Sequence, residues 1–414
     1  MASNDGEIDA EQALQELLEK NAESIETMTL RIVFCNPIGG DPFSAAVVIT
    51  QENLSALYDY PSQRTNLFKF KHVWDVEKLH KLINIKRRQD SDQDNCPKRI
   101  KREHECEAAA FRLLEAYLKD FAYHQKCLEK VLFGSNDVKE SAASATMVLN
   151  THLFGPLSDG NCIVDNHIAR QEHCTCSCGC GKEIKSGNTG IGVYSTWHGF
   201  VDMIVKENLP VTISDMEEPS MDEDTTEDQD EGSEEMKKDT NTLCVHDKQK
   251  SVTSRLIAET ITNAFAQVNT NDSLADLPIP AFGCAPRQIS VYLYDCKNDV
   301  LLKKTLPLHL FKRKDSASAV VMIWLYMNFR LFMKRDVTDI KAHSDLSDFQ
   351  AQFCSSDANI QEFYAKLRSG FTGCAHPDQP SLTSVVRTDE AFGVLIFYSL
   401  KDIKEQSWIQ FLTN

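Results

Sequence analysis

Between Glu105 and Lys304 the chain switches repeatedly between apolar patterns of helical and of strand period, and this alternation constrains the fold more than any other feature. From Glu105 to Lys119, apolar residues at 108, 111, 114 and 118, continued by 121, follow a 3.6-residue spacing among strong helix formers. Glu107 lies one turn before Phe111 and so shares the buried side of that helix. The runs Gly192–Val205 and Leu209–Ser214 are β-branched and aromatic, and Lys206-Glu207-Asn208 between them predicts a β-hairpin. Asn241–Lys248 reads as a further short strand. Ser251–Val268, apolar at 252, 256, 257, 261, 264, 265 and 268, reads as a second amphipathic helix. Gln288–Asp295 and Val300–Lys304 then pair around Lys297-Asn298. Helix, strand pair, strand, helix, strand pair is the order of an α/β core with a mixed central sheet flanked by helices. The predicted core spans residues 104–310.

The flanks extend this core. Residues 1–85 read as an N-terminal α/β accessory region, with a helix at Ala10–Asn21 and short strands at Thr29–Phe34 and Ala45–Thr50. A second helix is expected over His124–Leu132. Residues 311–414 read as a mainly helical extension packed on the core, with a strand at Gly393–Tyr398. The most apolar stretch, Ala317–Met333, has 17 residues with Asn328 and Arg330 inside it. That favours a buried core helix over a membrane span, which needs about 20 apolar residues. The acidic start, Met1–Glu19, lacks the basic and apolar pattern of a secretory signal, so an intracellular location is expected.

The net charge of −17 argues against a polyanionic partner until its distribution is considered. Thirteen acidic residues between Asp215 and Asp239 face only Lys237 and Lys238, so this tract alone carries −11. With almost no apolar residues, 215–240 is expected to be a disordered insertion, and 215–239 a docking segment for a protein partner. The stretch Lys69–Arg102 has the opposite bias, with 11 basic residues and 5 acidic ones. Its second half, 86–103, reads as a basic exposed linker. Arg87-Arg88, nine intervening residues and Lys98-Arg99-Ile100-Lys101-Arg102 have the spacing of a bipartite nuclear-import signal. A nucleic-acid partner therefore stays open.

Two constellations carry candidate chemistry. In Trp197-His198-Gly199-Phe200-Val201-Asp202 an aspartate emerges at the end of an apolar strand, where it is costly unless it meets a metal, a cation or backbone donors. Gly199, three residues earlier, permits close approach of backbone or substrate. The run Leu243-Cys244-Val245-His246-Asp247-Lys248 then ends in an acid and a lysine before the second helix. This order resembles the PD-(D/E)XK, or restriction-endonuclease-like, nuclease superfamily over residues 105–304, about half the chain. The resemblance implies Mg²⁺- or Mn²⁺-dependent phosphodiester hydrolysis. Asp202 would be the first metal ligand, Asp247 and Lys248 the second acid and the lysine, and Glu107 a helix-borne ligand, while Arg255 would contact substrate. The sequence departs from the pattern at His246, where the acid of acid-x-Lys is expected. A bulge, a register using Asp247 and Gln249, or the acids of Asp215-Met216-Glu217 are the alternatives. A non-catalytic interaction protein on a degenerate core is the competing reading.

The second constellation is His173-Cys174-Thr175-Cys176-Ser177-Cys178-Gly179-Cys180-Gly181-Lys182. Thiolates suit zinc or copper(I); Cys174, Cys176, Cys178 and Cys180 are the candidate ligands, and His173 would be a fifth donor. On a strand, alternate cysteines point to opposite faces, so a single site requires a curled loop, which Gly179 and Gly181 permit. Two thiolates completing a site with distant residues, a redox pair, and a ligand-free loop are the alternatives. No glycine-rich phosphate loop, Gly-x-Ser-x-Gly elbow or His-Glu-x-x-His motif is present.

Overall fold

A computed structural model describes residues 8–21, 25–37, 40–51, 67–91, 105–133, 141–206, 208–213, 235–285, 288–307, 313–335, 346–354, 362 and 364–367. The helices used below are α1 (Ala10–Asn21), α2 (Val76–Ser91), α3 (Glu105–Lys119), α4 (Phe121–Leu132), α5 (Ala142–Leu149), α6 (Asn166–Gln171), α7 (Glu235–Thr270) and α8 (Arg313–Met327). The strands are β1 (Ile25–Leu30), β2 (Ile32–Cys35), β3 (Val48–Thr50), β4 (Leu67–Lys69), β5 (Cys162–Asp165), β6 (Ser186–Gly187) and β7 (Gly190–Gly192). They continue with β8 (His198–Phe200), β9 (Met203–Val205), β10 (Leu209–Ile213), β11 (Ile279–Ala285), β12 (Gln288–Asp295) and β13 (Val300–Pro307).

Among the described residues a nine-stranded mixed sheet runs β4-β1-β13-β12-β11-β10-β9-β5-β6. The predicted hairpin is β9 and β10, paired antiparallel with Val205 opposite Leu209 and turned at Lys206, whose φ is +48°. The expected pairing of β12 with β13 also forms, with Asp295 opposite Val300. Between them α7 carries the chain from β10 across to β11, which lies parallel to β10. All five residues of β10 and the first six of β11 are buried, as strands covered on both faces must be. The helix lies close to this pair: a Cβ on Gly283 would come within 2.3 Å of Leu256 Cδ1 on α7.

Helical periodicity translated directly into burial. In α3 the inner face is Glu107, Ala110, Phe111, Leu114, Tyr117 and Leu118. In α8 the residues from Ala317 to Met327 are almost wholly buried, and Trp324 donates its indole N–H to the Ala110 carbonyl of α3 at 2.9 Å. The predicted core helix therefore exists, although it breaks at Asn328 before a short turn over Phe329–Phe332. Across the described residues, no helix is long and apolar enough to cross a membrane.

Several expectations are corrected. Asn241–Lys248 is not a strand; it belongs to α7, continuous with the helix expected from Ser251. Extending an existing helix adds one hydrogen bond per residue without a new nucleus, which outweighs a weak strand pattern of eight residues. Gly192–Val205 is not one strand: it holds the end of β7, then β8 and β9, with breaks at 193–197 and 201–202, and the first break follows Gly192, where φ is +89°. Residues 86–91 of the expected linker are the end of α2, so Arg87 and Arg88 lie on a helix. Strands β1 and β4 from the expected accessory region pair into the main sheet, β1 lying against β13. Of the acidic insertion, 235–240 falls in α7, while 215–234 lies outside the described residues, as do Lys98–Arg102 and Gly393–Tyr398.

Candidate metal centre

The cysteine-rich loop curls. Gly179 and Gly181 adopt left-handed φ of +82° and +74°, the Gly179 N–H donates to the Cys176 carbonyl, and the Cys176 N–H donates to the Lys182 carbonyl. Only glycine takes these angles without strain. The curl turns Cys176, Cys178 and Cys180 inward together, and Cys176 Sγ lies 3.4 Å from Cys178 Sγ. Cys174 stays at the loop entrance, where its backbone bonds Ala169 and Ile184, and it is not part of the cluster.

The fourth member is His152, whose Nε2 lies 3.1 Å from Cys178 Sγ and 3.5 Å from Cys180 Sγ. The candidate ligand atoms of His152, Cys176, Cys178 and Cys180 all fall within 4.8 Å of one another. His152 reaches this place because α5 runs into a wide turn of π type at Asn150–Phe154. Pro156, four residues on, has no N–H for the His152 carbonyl, and the Tyr117 hydroxyl donates to that oxygen instead, at 2.9 Å. Opposite the loop, Lys130 on α4 donates to the Cys178 carbonyl at 2.6 Å.

This donor set fits a zinc ion. Tetrahedral zinc with sulfur near 2.3 Å and nitrogen near 2.0 Å separates its ligand atoms by roughly 3.5–3.8 Å, close to the 3.1–3.5 Å between neighbouring donors here and inside the 4.8 Å that spans the set. Burial pushes the His152 imidazole down to about 4, helped by the neighbouring His124 and Lys182, so it is neutral and able to donate a lone pair at pH 7. Burial raises the Cys176 thiol to about 12. Burial opposes ionisation of Cys180 too, but the Lys182 N–H and the thiols of Cys178 and Cys176 outweigh it and lower the Cys180 value. A dication would favour the thiolate form of all three cysteines.

The residues expected for a nuclease site are placed differently. Asp202 sits in the turn between β8 and β9, where its Oδ2 accepts the Ile213 N–H at 2.5 Å. Its Oδ1 lies 3.6 Å from an Arg255 guanidinium nitrogen, and Arg255 Nε donates to Glu259 Oε1 at 2.8 Å. Glu259 is completed by the Thr212 hydroxyl at 2.7 Å. Burial raises both the Asp202 and the Glu259 carboxyls, opposed chiefly by Arg255. Gly199 is approached by the Phe43 ring, 3.1 Å from where a Cβ would stand. Glu107 is buried and paired with Lys78 of α2 at 2.9 Å. Asp247 and Lys248 are neighbours on α7, so neither the bulged strand that would bring them together nor a register using Asp247 and Gln249 exists.

Sequence reasoning missed His152 and Glu259. Glu259 had a signal, its four-residue spacing from Arg255 on a helix. For His152 the only local sign was the proline four residues on. No family model, curated protein or solved structure matches the chain.

Proposed function

We propose that the protein is a non-catalytic interaction protein: a zinc-stapled α/β scaffold on a degenerate nuclease-like core. The observation that carries this reading is the Arg255 guanidinium lying between the Asp202 and Glu259 carboxylates. Divalent-metal hydrolysis needs carboxylate oxygens free to approach Mg²⁺ at about 2.1 Å and to leave room for an activated water. Here one Asp202 oxygen is held by the Ile213 N–H and the other faces an internal cation. A zinc ion held by His152, Cys176, Cys178 and Cys180 would have four protein ligands, which is the structural rather than the catalytic pattern. In this reading the acidic tract 215–239 and the basic clusters Arg87-Arg88 and Lys98–Arg102 are the docking segments, and the basic clusters also direct nuclear import.

The nuclease reading keeps one specific support. Asp202 lies between β8 and β9 and bonds the end of β10, ahead of the β10-α7-β11 crossover, although helix replaces the acid-x-Lys strand that the resemblance implies. A Mg²⁺- or Mn²⁺-supplemented cleavage assay on single- and double-stranded DNA and RNA separates the two. The scaffold reading expects no cleavage that Asp202→Ala abolishes; cleavage lost on that substitution would establish the nuclease. Deleting residues 218–238 tests the docking role: loss of a captured basic partner is expected, whereas tighter nucleic-acid binding would make the tract a shield.

A further inference from the structure

The metal centre has an outer partner that the sequence pattern does not indicate. His124 on α4 lies with its Nδ1 3.2 Å from the Nδ1 of His152. Its ring stacks on Tyr117 with centroids 4.7 Å apart and planes 4° from parallel, and the Tyr123 ring lies tilted against it at 5.4 Å. Both imidazoles are buried, at 6% and 0% exposure, so neither rotates freely. Tyr117 also donates to the His152 carbonyl, so one side chain holds both histidines.

We propose that His124 is the positioning residue of the metal centre, accepting a hydrogen bond from His152 Nδ1–H and so presenting the Nε2 lone pair to the ion. The assignment follows from proton counting. A neutral imidazole carries one N–H, and two Nδ1 atoms 3.2 Å apart require that one donates and the other accepts. His152 Nε2 faces the sulfurs of Cys178 and Cys180, and a nitrogen bound to metal carries no proton. The His152 proton is therefore on Nδ1 in the loaded protein, and His124 is the Nε2–H tautomer. Without the ion, His152 Nε2–H can donate to the Cys178 sulfur while His124 Nδ1–H donates to His152. Metal loading thus exchanges the tautomers of both rings. Outer partners of this kind orient a ligand ring and raise its basicity, and their loss weakens metal binding about 10- to 100-fold.

The inference rests on the zinc reading, and two measurements keep them apart. Zinc content and zinc affinity of the full chain, the latter by competition with a chromophoric chelator, are compared for the wild type, His124→Leu and His124→Asn. One equivalent of zinc in the wild type is expected, with affinity about 10- to 100-fold weaker in His124→Leu. His124→Asn, whose amide oxygen can accept the same proton, is expected within about 3-fold of the wild type. Nitrogen chemical shifts of ¹⁵N-histidine-labelled wild type, with and without zinc, assign the tautomers without any substitution and report on the proposal even if His124→Leu does not fold. Wild-type affinity in His124→Leu, or an unprotonated His152 Nδ1 in the zinc form, overturns the proposal while leaving the zinc site standing. A wild type that takes up no zinc overturns both.

Discussion

Two buried polar clusters sit at different places in this molecule, and they solve the same electrostatic problem in opposite ways. Around Asp202 the negative charge is met from within the chain: Arg255 lies between two carboxylates, and Thr212 and the Ile213 N–H fill remaining acceptor sites. Around Cys178 the chain gathers three sulfurs and an imidazole, with Lys130 bonded to the backbone carbonyl rather than to a sulfur. A cluster that contains its own cation has no need of an ion. A cluster of soft donors, with Lys130 and Lys182 beside it but neither among the ligand atoms, could hold one. The difference teaches that acid residues near the end of a strand do not by themselves make a metal site; the nearest cation decides.

The comparison breaks or sharpens by experiment, and the largest effect is expected at the cysteine loop. Structural zinc in small domains contributes an apparent binding free energy of about 10–16 kcal/mol at neutral pH, so chelation or Cys178→Ser is expected to lower Tm by about 10 °C or more. Differential scanning calorimetry with elemental analysis checks this; an unchanged Tm in zinc-depleted protein would remove the staple. Next comes the ion cluster. Glu259→Ala leaves the partly buried Arg255 with one partner fewer and is expected to cost about 1–3 kcal/mol in urea unfolding. Replacing all three charges together, Asp202→Asn, Arg255→Met and Glu259→Leu, should return most of that loss, because no charge is then left without its partner.

A smaller effect separates the clusters by pH. His124 and His152 are each held near 4 against an ordinary value of 6.5, chiefly by burial. Their contribution is fully present above about 6.5 and is lost as pH falls through 4, since the unfolded chain binds protons first. Zinc-free protein should therefore lose stability between pH 6.5 and 4, and His124→Leu should flatten that slope. The Asp202 and Glu259 carboxyls are raised by burial and shift the balance the other way, contributing more at low pH than at neutral pH. Urea midpoints measured across this range read the net slope in each variant. The smallest effect is expected for Cys174→Ser, at about 1 kcal/mol or less with zinc content unchanged, because Cys174 stands outside the ligand group.

Helix α3 and the β9–β10 hairpin were legible in the sequence because each is decided locally, by the spacing of apolar residues and by a turn. The stretch Asn241–Lys248 was not, since its helical state depends on continuity with the helix that follows. The cysteine loop was legible as a metal candidate from its composition, and Gly179 and Gly181 marked the curl it needs. Its histidine was not legible, because His152 lies 24 residues before Cys176, on a turn whose geometry depends on Pro156 and Tyr117.

The sequence by itself determined the α/β class, the main amphipathic helices, the split of charge between acidic and basic segments, and a loop rich in soft ligands. These are properties of local spacing and composition, which tertiary contacts do not alter. Tertiary structure alone decided that β1 joins the sheet beside β13, that His152 rather than Cys174 completes the cysteine cluster, and that Arg255 stands between Asp202 and Glu259. Each of these juxtaposes residues from separate elements, and no local pattern encodes which distant side chain will supply a buried charge or donor with its partner.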